Sequence, residues 1–267
     1  MLTKIKTAAK ELLKNYKLNR IAWLQRHGAI YFPFWDMLFK YPPLAVFNAI
    51  LRAKSDITNS CIIHTIGDSH VKPFIYQWPF HVHHISQATA YNLVKDGSFT
   101  KSSMFLNLFL SKINRKRDVV LLVFGEIDAR VHIYLQYGKS GKTISIDSLI
   151  DTTVERYGQV IRKLKDEGFI VFIHGIPPAS SKEFITALPF SGKPRERSEI
   201  SRKFNVKLKE FCNSIGVTYI DIQSIASDEH GFIKKYYLAD EVHCNRRIVP
   251  FARKTITDAL KNTKTIT

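Results

Sequence analysis

Cysteine is scarce in this chain. Its three cysteines, Cys61, Cys212 and Cys244, are far apart and form no CxxC pair. That excludes a disulfide framework and a zinc ribbon, and it fits a reducing, cytoplasmic setting. An apolar leader is also lacking: MLTKIKTAAKELLKNYKL, residues 1–18, contains no h-region, so no secretory signal is expected. The greasiest stretch, AIYFPFWDMLFKYPPLAVFNAIL, is broken by Asp36, Lys40 and three prolines. Its clean apolar run falls short of the ~20 residues that a membrane span needs. There is no internal repeat, no low-complexity segment and no RNA- or DNA-binding motif, so a nucleic-acid partner is not expected.

Acidic residues are few as well, 23 against 40 Lys and Arg, for a net charge of +17. Such an excess favours an anionic partner but is silent about fold. Part of it lies in residues 1–56, where ten basic residues face three acidic ones. There KIKTAAKELLKNYKLNRIAWL shows helical periodicity with a basic face. We expect a basic helical extension over 1–56. It either packs on the main domain or touches an anionic membrane surface or an acidic glycan.

From residue 57 to 267 apolar runs alternate with periodic helices. CIIHTIG, HVHHIS, RDVVLLVFG, FIVFIHGIPP and VTYIDI read as strands. SSMFLNLFLSKIN, the stretch ending at Gly168, the stretch ending at Gly216 and NRRIVPFARKTITDALKN read as helices. The segment from Pro177 to Pro194 reads as a loop over the strand ends. Strands that are apolar throughout and spaced by helices imply a three-layer α/β/α domain with a central parallel sheet.

In such a sheet, reactive groups gather at the carboxyl ends of strands. Three ends carry them: Gly67-Asp68-Ser69-His70, then Gly125-Glu126-Ile127-Asp128 with Arg130, and late in the chain Asp240 with His243. A serine hydroxyl needs a base to take its proton, and the base needs a third group to orient it. Ser69, His243 and Asp240 can fill those roles. His81, His83 and His84 invite a metal reading, but on a strand only His81 and His83 share a face, and no third ligand is evident. No metal and no cofactor are expected. His64 reads as a satisfied core histidine.

Taken in order, GDSH, VVLLVFGEID and LADEVH resemble the first, third and last blocks of the SGNH, or GDSL-type, hydrolase superfamily. The resemblance runs from about residue 58 to the C-terminus. It implies a flavodoxin-like fold and ester hydrolysis or acyl transfer, with Ser69 as nucleophile and Asp240 and His243 completing a triad. The second-block glycine falls near HHISQATAY, where Ser86 takes its place as a backbone donor to the oxyanion. Ile127 stands where the family has its donor asparagine, and losing one such donor costs ~10²–10³ in rate. Arg130 is the nearby candidate to replace it; the alternative is that Arg130 pairs with Glu126 or Asp128 as structure. Asp68, His70, Gly125, Glu126 and Asp128 are expected around the pocket. The GEID block resembles proteins that accompany bacterial surface-polysaccharide assembly, which implies an O-acylated carbohydrate substrate. The alternative is a catalytically silent module that binds an acidic glycan or organises polysaccharide synthesis.

Overall fold

The computed structural model describes residues 42–98, 100–185 and 188–265. The periodic basic segment near the N-terminus lies outside them. One compact unit runs from Leu44 to Thr267, so the helix over Pro42–Thr58 (α1) belongs with the sheet.

Five parallel strands form the sheet: β1 Ile63–Gly67, β2 Phe80–His84, β3 Val119–Val123, β4 Ile170–His174 and β5 Thr218–Ile220. Their order is β2-β1-β3-β4-β5. All five residues of β1, and all five of β3, are buried. Strands covered on both faces can be apolar without alternation, as these are. Buried polar side chains enter through His64 and Thr65 of β1, the histidines of β2 and His174 at the end of β4.

Helices α2 (Ser102–Leu110), α4 (Ile146–Asp166) and α5 (Pro194–Ser214) share one core with Ile66, Val120, Leu122 and Ile173. Alternate strand residues point the other way, where α7 (Val249–Thr265) packs on β5. Helix α4 shows why the sequence folds this way. Ser145 caps its start by accepting the Ser148 N–H, Asp147 sits in the first turn, and Lys163 and Lys165 sit in the last. Ile150, Val154, Tyr157, Ile161 and Leu164 are its buried stripe at helical spacing. Helix α5 opens on Pro194 and buries Ile200, Phe204, Leu208 and Cys212 at four-residue intervals. Two short helices, α3 (Ile133–Lys139) and α6 (Ile222–Ala226), complete the α-helices among the described residues.

Strand order positions the site. The chain goes from β1 to β2 on one side and then to β3 on the other. The crevice where winding reverses therefore opens between the carboxyl ends of β1 and β3.

Candidate active site

Strand β1 ends on Gly67 because it must: a Cβ there would overlap the Val123 carbonyl oxygen and side chain. Asp68 follows, fully buried, and its Oδ1 accepts the His70 N–H at 2.8 Å. That cap starts a 3₁₀ turn over Ser69–Phe74, and Ser69 is its first residue. The paired ends are level. Gly67 is in register with His84 of β2 and Val123 of β3. Ser69, Ser86 and Gly125 each lie two residues beyond those partners. Gly125 needs its lack of a side chain, since its φ is +111° and a Cβ would meet the Phe204 ring at 2.8 Å.

The third group arrives from the far end of the chain. Residues 238–244 form a tight loop closed by the Leu238–Cys244 bridge and by Ala239 N–H on the His243 carbonyl at 2.9 Å. Within it Asp240 Oδ1 accepts the backbone N–H groups of Val242 and His243, each at 2.8 Å. Its Oδ2 takes His243 Nδ1 at 2.7 Å. A three-residue spacing lets one carboxylate hold both the backbone and the ring. His243 Nε2 then lies 2.7 Å from Ser69 Oγ. Ser69, His243 and Asp240, 174 residues apart at their extremes, form one hydrogen-bonded line.

Burial, followed by the charges of His70 and Lys72, pushes the His243 pKa down to about 4, against the pull of Asp240. Burial works upward on Asp240, but the N–H bonds from His243 and Val242 and the imidazole outweigh it and hold it at about 2. At neutral pH the dyad is thus a carboxylate and a neutral imidazole.

His70 packs on the His243 ring, with centroids 4.8 Å apart. Its Nδ1 is 3.0 Å from Asp68 Oδ1 and its Nε2 is 3.8 Å from Glu126 Oε2. Burial disfavours charge on His70, yet the two carboxylates outweigh it and raise its pKa. Burial works upward on Asp68 too, and His70 pulls it down.

Two residues expected to face substrate are engaged elsewhere. Asp128 is buried and accepts Ala90 N–H at 2.7 Å and Tyr91 N–H at 3.2 Å. Burial lifts its pKa to about 7 despite those bonds. It pins the segment after β2 to the turn after β3, and is no pocket acid. Arg130 lies in a wide, π-type turn over Asp128–His132. Its Nε donates to Glu126 Oε1 at 2.6 Å, and a terminal nitrogen donates to the Pro189 carbonyl. Its own carbonyl accepts Ser191 N–H at 2.9 Å. The guanidinium pairs with Glu126 and fastens the 177–194 loop, which is the structural alternative for Arg130. Ile127 is half-buried and brings no donor.

No family model and no curated protein sequence matches the chain. Solved structures do. A GDSL-like lipase from Bacteroides thetaiotaomicron aligns over 81% of this chain and 99% of its own, with TM-score 0.52 and 13% identity. A protein described as an acylhydrolase, from Bacteroides fragilis, aligns over 75% and 86%, with TM-score 0.50 and 15% identity. A protein described as a platelet activating factor, from Streptococcus pneumonia, aligns over 95% and 99%, with TM-score 0.52 and 16% identity.

The fold is the SGNH, or GDSL-type, hydrolase fold. The order of the blocks fits it: the GDSL-type first block closes β1, the third closes β3, and the last forms the Asp240–His243 loop. The one block change that removes a side-chain donor is Ile127. Sequence reasoning missed a different cluster. His64 of β1 is in register with His81 of β2, which places it beside His81 and His83 on one face. The pairing of two distant segments carries that information, and neither segment shows it alone.

Proposed function

We propose that the chain is a serine ester hydrolase or O-acyltransferase acting on O-acyl groups, by preference O-acetyl, of a glycan or glycan precursor. One observation carries this reading: the 2.7 Å contact of Ser69 Oγ with His243 Nε2, continued at 2.7 Å from Nδ1 to Asp240. Ser69 Oγ attacks the ester carbonyl while its proton passes to Nε2. Asp240 keeps Nδ1 protonated and stabilises the imidazolium that forms. The oxyanion is held by the backbone N–H groups of Ser69 and Ser86. As the intermediate collapses, His243 returns the proton to the leaving alkoxide, and an acyl-Ser69 remains. Water activated by the same imidazole releases the acid; a sugar hydroxyl in its place makes the protein a transferase.

The carbohydrate preference rests on the resemblance of the GEID block. The basic N-terminal segment fits an acidic glycan or membrane surface by charge. Ile127 favours a second reading, a catalytically silent module, because neither it nor the engaged Arg130 offers a side-chain donor. The test is hydrolysis of p-nitrophenyl acetate together with labelling by a fluorophosphonate probe. Ser69→Ala and His243→Ala should each abolish both, and their combination should cost no more than either alone. Wild-type turnover in Ser69→Ala would refute the assignment. A folded wild type that neither labels nor turns over would favour the silent module. Acetyl release from acetylated sugars, with and without an acceptor, then separates hydrolysis from transfer.

A further inference from the structure

The cluster that the serine chemistry does not use lies on one face of β1 and β2. His64, His81 and His83 are all buried, and one ring nitrogen from each falls within 4.8 Å of the other two. His64 Nδ1 is 2.9 Å from His83 Nε2, with the ring planes within 16° of one another. The His81 ring lies 4.4 Å from that of His83. His64 Nε2 points at Asp118, 3.5 Å from its Oδ2. We propose that His64, His81 and His83 form a binding site for one borderline divalent d-block cation, with zinc as the representative. The ion would clip the edge strand β2 to β1.

The donor chemistry fits. Neutral imidazole is the form that ligates, and imidazole suits zinc, nickel and copper. Burial is the first cause that keeps all three rings neutral, with Arg52 adding to it. An ion bound near pH 7 therefore displaces no proton from an imidazolium. His64 has the arrangement of a metal ligand backed by a carboxylate: its Nε2 faces the Asp118 carboxylate at 3.5 Å, which favours the proton on Nε2 and leaves the Nδ1 lone pair toward the cluster. Asp118 is itself held by Arg117 at 2.9 Å and by the Ile62 N–H at 3.1 Å.

Zn–N bonds of about 2.0–2.1 Å put ligand nitrogens about 3.3 Å apart in a tetrahedral site. The shortest separation would open by about 0.4 Å and the longest would close by at most about 1.5 Å. Both are side-chain adjustments on a fixed strand pair. Three ligands leave a fourth position for water.

One group opposes the ion. Arg52 Nε donates to His81 Nδ1 at 3.3 Å. A neutral His81 cannot accept that bond and ligate through its other nitrogen, so the ion takes Nδ1 and Arg52 swings off it. Lys112 adds a second nearby positive charge. These cations weaken the site, and that gives it a signature which a purely structural histidine cluster lacks. Removing Arg52 should tighten it.

The test uses the full-length protein, stripped with a chelator and titrated with Co²⁺ and then Zn²⁺ alone. We expect one Co²⁺ per chain, with the visible absorption of a low-coordinate nitrogen site, displaced by Zn²⁺. We also expect a higher melting temperature with zinc. His81→Gln and His83→Gln should each lose the stoichiometric site, and Asp118→Asn should weaken it roughly 10–100-fold. Arg52→Met, which leaves all three ligands in place, should raise affinity. Circular dichroism confirms that each variant folds; if His83→Gln does not, His81→Gln on the edge strand is the deciding variant. Absence of one-to-one binding overturns the proposal, as does a one-to-one site that survives His81→Gln. An affinity unchanged or lowered in Arg52→Met overturns the assignment of His81 Nδ1 as a ligand.

Discussion

Replacing Arg130 by methionine leaves the Glu126 carboxylate inside the protein without its guanidinium. Arg130 is 7% exposed and Glu126 8%, so water cannot take over the lost contact. Breaking a buried pair by removing one partner typically costs about 3–5 kcal/mol, because an uncompensated charge stays behind. The lost N–H bond to the Pro189 carbonyl adds to this. In a chain of this size 1 kcal/mol moves the melting temperature by about 2–4 °C, so the variant should melt roughly 6–20 °C lower. Glu126→Gln removes the stranded charge, and the double variant Glu126→Gln/Arg130→Met should recover part of the loss. The coupling measured by that cycle should be about 1–3 kcal/mol. Glu126 also faces His70, so the single Glu126→Gln variant carries a cost of its own that the cycle subtracts. Thermal and urea unfolding of the four proteins measure the stability. Turnover of p-nitrophenyl acetate, per folded molecule, measures the chemistry and should change little. A melting temperature unmoved by Arg130→Met, together with kcat down by ~10²-fold, would refute the fastening role and return Arg130 to the oxyanion.

Asp240→Asn should lower kcat by roughly 10²–10⁴-fold with little change in KM, because an amide cannot hold Nδ1 protonated and stabilise the imidazolium; a loss confined to KM would contradict the orienting role. With His243 pushed down to about 4, the base stays neutral until the pH falls near that value, so the acidic limb of kcat/KM should lie close to pH 4. A limb at 6.5 or above would contradict the site as described. His174 is buried and pushed down to about 3, first by burial and then by His70. Its folded pKa is below its unfolded one, so its contribution is complete above about 6.5 and is lost as the pH falls toward 3. His174→Phe should therefore flatten the acid dependence of the unfolding free energy, measured by urea titration, by about 1.4 kcal/mol per pH unit across that window; an unchanged slope would count against it. Removing the first ~20 residues should weaken binding to anionic vesicles or acidic glycan in a salt-dependent way, and binding indifferent to truncation and to salt would show that the charge there is incidental.

The strands were legible where burial on both sides left no room for alternation. VVLLV of β3 and the run into Gly67 announced themselves, and helices α4 and α5 showed their stripes and caps. Strand β2 was harder, because Phe80–His84 carries three histidines in five residues. Only its neighbours make those positions interior. Helix α1 hid behind Pro42 and Pro43, although proline is tolerated in a first turn whose N–H groups have no helical partner. Within the site, the local Asp240–His243 pairing could be read from spacing. The engagement of Arg130 was legible in part: Glu126 four residues earlier offered a partner in competition with an oxyanion, whereas the loop carbonyl of Pro189 lies far along the chain. His64 likewise belongs to a cluster that exists only in the register of β1 on β2.

The loop 238–244 has a consequence for the order of assembly. Every bond that holds Asp240 to His243 closes within a few residues, so this pair can form early and at small entropic cost. Its meeting with Ser69 spans 174 residues and waits for the sheet, the loop after β5 and the final approach of both. If that local pair closes first, a partly folded chain would hold an oriented base with nothing to deprotonate. Reactivity of Ser69 requires that long-range contact to close, so the rate at which it appears during refolding would report a late step in the assembly of the domain.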